Sequence, residues 1–162
     1  MFSFYQIIIG ALIVGVVFFI SQFMYILPVH IGSFIITITA VIIADIHATL
    51  WTLGKLSVLP LQRMNLLHYL VSIGLLASVT SGFIMFLPLQ EYLFSVTAFW
   101  LKMIFVLALI VNSFVISHHL KTITSRTFAS LTKNERQPLF ISGFISAISW
   151  IGAFISALFL GL

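Results

Sequence analysis

A chain of 162 residues with 62% hydrophobic and only 6% charged side chains falls far below the roughly 25% charge of a soluble domain. Its composition belongs in a bilayer. A net charge of +4, spread thinly, argues against a nucleic-acid partner. The absence of cysteine excludes disulfides, thiolate metal sites, iron–sulfur clusters and thiol catalysis together.

A spanning helix needs roughly 20 mainly apolar residues. Five stretches meet that condition, about 5–27, 31–53, 66–88, 98–120 and 138–160. The expected fold is therefore all-α: one polytopic membrane bundle over residues 1–162. The opening "MFSFYQIIIG" has no basic n-region and no small-residue cleavage site behind its apolar run, so it reads as a retained first helix. Pro28 and Gly32 in "LPVHIGS" predict a tight hairpin after it, with His30 in water. Between Gly54 and Pro60 lies a loop, because Pro60 lacks a backbone donor and biases Leu59 away from helix. Pro88 to Glu91 and Thr122 to Pro138 separate the remaining spans.

Charge placement supplies an orientation. Lys55 and Arg63 follow the second span; Lys121, Arg126, Lys133 and Arg136 follow the fourth. Six of the seven cationic residues thus share one side, which the positive-inside rule makes cytoplasmic. The expectation is an N-in, C-out protein of the inner (plasma) membrane. Lys102 sits one turn inside the other end and can snorkel outward, toward Glu91.

Small residues mark packing seams. Ser142, Ser146, Ser149, Ala153 and Ser156 recur at steps of three and four along the last helix. Such a stripe lets backbones approach closely where lipid offers no hydrophobic drive. Ala11 with Gly15, and Gly74, Ser78, Ser81 and Gly82, make shorter versions. These seams suit packing within the bundle, or a contact in a homo-oligomer or larger membrane complex.

Ionisable groups inside the spans are costly, by about 2.5–3.5 kcal/mol on insertion scales. Asp45 is the most demanding. Asn112 lies at a similar depth, and Asp45 is expected to face inward and accept hydrogen bonds from Asn112 or from water. The carboxyl reads either as a proton or cation relay or as a hydrogen-bonded helix clamp. His47, His68, His118 and His119 all fall in the half nearer the basic loops, on three different helices. Two imidazoles from different helices are what a b-type haem takes as axial ligands. They also suit a transition metal or a proton path. Shallow interface histidines are the plain alternative. No C-x-x-C-H, H-E-x-x-H or Gly-rich phosphate loop accompanies them.

From the third expected helix onward, over about residues 66–160, the chain resembles the small bacterial membrane proteins related to haem-binding protoporphyrinogen oxidase and to copper-resistance D-type proteins, through "SVTSGFIMFLP", "FWLKMIFVLALIVN" and "FASLTKNERQP". The resemblance implies a compact helical bundle that binds b-type haem and takes part in membrane redox chemistry. Lys102 matches that family's helix-four lysine. Trp100 stands where the family places a histidine, and His47 is the candidate for its first-helix histidine.

The leading functional expectation is a cytochrome-like redox protein with haem b between helices two, three and four. His119 with His47 or His68 would ligate, and Asp45 and Asn112 would support or handle protons. No metal beyond the haem iron is expected. A proton- or cation-coupled transporter centred on Asp45 is one rival, and a non-catalytic subunit of a larger membrane complex is another.

Overall fold

The computed structural model describes the backbone of residues 4–160, and the side chains of that range apart from residues 4–8, 10, 11, 15–23, 121 and 122. The pair Ala11 and Gly15 therefore lies outside the described residues. Every regular element is helical among those described. In chain order they are α1 (Phe4–Thr52), α2 (Leu61–Phe86), a 3-10 turn at Leu87–Leu89, α3 (Gln90–Ser95), α4 (Thr97–Thr124), a 3-10 turn at Phe128–Ser130 and α5 (Lys133–Leu158). Among the described residues, four stretches are long and apolar enough to cross a membrane: Met24–Thr52, Leu61–Ser95, Thr97–Leu120 and Lys133–Leu158. The chain is a multi-pass membrane protein.

The expected hairpin at Pro28 is absent. One helix of 49 residues runs through that proline. A proline inside a helix forfeits one hydrogen bond, here the one its predecessor Met24 would accept. A turn among apolar residues would expose several backbone groups to lipid. His30, expected in water, points instead at the neighbouring helix: its Nδ1 lies 3.0 Å from Ser81 Oγ.

α1 and α2 form one antiparallel pair, α4 and α5 another. The first pair is joined by a polar seam. Ser33 Oγ lies 2.8 Å from Ser78 Oγ, one turn along from His30 and Ser81. A turn further, Thr37 is fully buried against Gly74, where a Cβ would collide with Thr37 Oγ1. α1 stops where Gly54 adopts φ 71°. There Lys55 N–H donates to Leu50 O (2.9 Å) and Gly54 N–H to Trp51 O (3.1 Å), a Schellman ending.

The second pair closes along the small-residue stripe of α5. Ser142, Ser146, Ser149, Ala153 and Ser156 are all buried against the chain's own bundle. Gly152 accommodates the Phe105 ring, which an alanine there would strike. α5 starts five residues before Pro138, at Lys133, because Thr132 and Glu135 form a capping box. Glu135 also accepts from Arg126 Nη1 at 2.6 Å. That loop is folded tightly: Trp51 Nε1 donates to Arg126 O (3.1 Å), and the Arg136 guanidinium lies 4.7 Å from the centre of the Phe128 ring. Trp51, Leu59, Leu120 and Leu131 pack beneath it and seal the basic end.

Gly74→Ala is expected to destabilise the bundle by about 1–3 kcal/mol through overpacking, read as a lower unfolding midpoint in detergent. Thr37→Ala in the same chain should recover part of the loss. Wild-type stability in the single variant would contradict the close approach of α1 and α2.

Candidate functional site: a cleft between the helix pairs

Where the two helix pairs meet, side chains from α1, α2, α4 and α5 leave a cleft of about 80 Å³. Its walls are mostly apolar, with Leu67, Val71, Leu75, Leu109 and Trp150 among them. Five polar side chains break that surface: Asp45 from α1, His68 from α2, Asn112 and Ser113 from α4, and Ser146 from α5. Asp45 and His68 each lie seven residues inside their helix ends at Thr52 and Leu61, a depth of roughly 10 Å by helical rise. Of the lining residues, Asp45 is the exposed one, so it stands at the mouth.

Asn112 is not the partner of Asp45. Its Nδ2 donates to Ser142 O (3.0 Å), and its Oδ1 accepts from Ser142 Oγ (2.7 Å). Both ends of the buried amide are used to clasp α4 to α5. This corrects the expected Asp45–Asn112 bond, and the reason is distance along the bundle's girth: Asn112 meets the serine stripe of its own pair first. Asp45 itself takes no hydrogen bond from any described residue.

The four histidines are placed in three settings. His68 lines the cleft. His47 does not: its Nδ1 lies 2.7 Å from Ile43 O and its Nε2 3.2 Å from Arg63 Nη1. A carbonyl can only accept and a guanidinium can only donate. The ring therefore carries its proton on Nδ1 and spends its Nε2 lone pair on Arg63. His118 is exposed and His119 half-buried, their rings edge to face with centroids 5.2 Å apart. Neither is among the cleft's lining residues, although Leu120 is.

A b-type haem needs two free imidazole nitrogens facing one another across a space its own size. The cleft holds room for a few waters, well below the roughly 300–1,000 Å³ of sites that seat small organic ligands. It offers one imidazole, and His47 would have to give up Arg63 to supply another. As placed, these residues do not fit that group. Among the described residues, no cluster of three or more His, Asp or Glu side chains is positioned to hold a metal ion.

Sequence reasoning missed the Arg63–His47 contact and the contribution of Ser113 and Ser146. The first was readable: two antiparallel helices joined by a short loop at Gly54 to Pro60 bring residue 47 opposite the early 60s. The second was not, since it depends on how one helix pair rotates against the other. No protein-family model, no curated protein and no solved structure matches the chain.

Expressed with ample haem and purified, the protein is expected to show no Soret band in its visible spectrum. A band that His119→Ala or His68→Ala removes would reinstate haem ligation.

Proposed function

We propose that this chain is a proton-coupled membrane transporter, or the proton-handling subunit of one, in which Asp45 takes up and releases the proton. The observation that carries this reading is the isolation of the Asp45 carboxyl: it stands at the mouth of a mostly apolar cleft and accepts no hydrogen bond from described residues. A carboxyl kept as a helix clamp is bonded to the helix it clamps. One kept for proton exchange has its oxygens free for water and for the proton. Uptake converts the carboxylate to the neutral acid and removes the charge from the apolar zone; release restores it. His68 shares the cleft at the same depth and, with Ser113, supplies a second group through which water can pass a proton on.

The basic loops mark the cytoplasmic side by the positive-inside rule. Across the four spans among the described residues, the Met24 end of the first and the Leu158 end of the last then face outward. That places Asp45 and His68 in the inner-leaflet half of the bundle, in a bacterial-type plasma membrane.

In proteoliposomes carrying an internal pH dye and driven by a membrane potential, Asp45→Asn is expected to lower proton flux about a hundredfold or more, the effect of removing the group that exchanges the proton. His68→Ala should slow it several-fold and His119→Ala little. A wild-type protein without flux, or flux indifferent to Asp45, would overturn the reading.

A further inference from the structure

Asp45 differs from the rest of the cleft wall in where it faces. It is exposed, while the other residues that line the cleft are buried or half-buried. It also lies well inside the span Met24–Thr52, so what surrounds the protein at that level is acyl chain rather than bulk water. Ile42 and Thr49, one turn before and one turn after it on the same face, are exposed as well, and so is the adjacent Ile46. Toward the basic loops the cleft runs into Met64 and Leu120, which belong to the buried cluster around Trp51. Toward the other end it runs into Leu75, Leu109 and Trp150. Its mouth therefore opens sideways, into the leaflet nearer the basic loops.

A carboxylate that faces hydrocarbon is costly and draws a cation. A divalent metal ion does not suit the place, because it takes about six oxygen ligands or more. The cleft offers one carboxyl and the hydroxyls of Ser113 and Ser146, the Asn112 amide being spent on Ser142. An alkylammonium asks for less: one negative charge for its head and apolar surface for its chain. Asp45 supplies the first, and the exposed side chains of Ile42 and Ile46 supply the second. A cleft of about 80 Å³ takes a head group and leaves the chain in the bilayer.

We infer that the cation exchanged for the proton at Asp45 is a lipophilic alkylammonium, which reaches the carboxyl from the bilayer through this lateral mouth. The inference rests on the transport reading for the exchange and on the exposure of Asp45 for the route. The exchange balances in charge. The neutral acid gives up its proton as the ammonium binds, the resulting ion pair is neutral too, and reprotonation sets the cation free. Neither state leaves a net charge in the apolar zone. His68, from α2, is the other titratable group of the cleft, and the lining residues of α4 and α5 include no charged or titratable acid or base. Arg63 and His47, nearer the basic loops, are bonded to each other.

Dodecyltrimethylammonium is the probe, added to the purified protein in lightly buffered detergent containing a pH dye, over a range of pH. Where Asp45 is protonated, the wild type is expected to release about one proton per chain at saturation, and the apparent Kd should weaken about tenfold for each further pH unit of acidity. Asp45→Asn should release none, Asp45→Glu should restore the release, and His68→Ala should leave it in place. Uncharged dodecanol should release none from any variant. The route is read separately in proteoliposomes. Asp45→Cys, in a chain otherwise free of cysteine, should react several-fold faster with a membrane-soluble maleimide than with a charged, impermeant one. No release from the wild type at any pH, or equal release from Asp45→Asn, overturns the inference. So does an Asp45→Cys protein that joins two copies by a disulfide instead of reacting with the soluble reagent, which would assign this face to a second copy. The dye reads binding, not flux. Asp45-dependent flux without cation-linked release sinks the alkylammonium alone, and release without flux sinks the transport reading alone.

Discussion

Thr37 against the bare backbone of Gly74 sets the register from which the rest of the arrangement follows. With no Cβ at 74, α1 and α2 approach until Thr37 is fully buried, and that depth fixes which residues meet on either side. Toward one end it brings Ser33 to Ser78 and His30 to Ser81. Toward the other it brings His47 to Arg63 and puts Asp45 level with His68. A slip of one residue would turn both serines away from their partners, since neighbouring positions on a helix point about 100° apart. The continuity of α1 through Pro28 belongs to the same constraint. A hairpin there would have carried His30 and Ser33 out of the seam, leaving Ser78 and Ser81 without their partners on α1.

Hydrogen bonds then decide which polar groups are free to act. His47, by sequence the strongest candidate ligand on α1, has both ring nitrogens engaged. Asn112, expected to serve Asp45, is consumed by Ser142. Arg126, Glu135 and Thr132 close on one another around the start of α5. In the cleft, neither the Asp45 carboxyl nor the His68 ring is bonded to a described residue.

The helices were legible in the sequence because a bilayer allows few alternatives: long apolar runs, and small-residue steps on α5 that are buried where the spacing places them. The course of the chain at Pro28 was not, since one proline in an apolar setting does not distinguish a hairpin from a helix that tolerates it. The site was half legible. Asp45 stood out because a carboxyl in a span demands an explanation, and its depth relative to His68 follows from the Gly54 to Pro60 loop. Which histidines share a pocket was not legible. Depth along a helix comes from sequence position, but facing depends on the rotation of one pair against the other, and that rotation is set by side chains such as Phe34, Phe105 and Trp150 meeting across the bundle.

The seam that fixes the register is also unsuited to carry a proton. Ser33 has one hydroxyl proton and gives it to His30 O at 2.9 Å, so Ser78 is the donor between the two serines. Ser81 gives its own to Ala77 O at 2.6 Å, so it accepts from His30 Nδ1–H, and Thr37 donates to Ser33 O at 2.6 Å. Each chain of hydroxyls therefore ends on a helix carbonyl, which has no proton to pass on. The polar groups of α1 and α2 act as glue between the two helices.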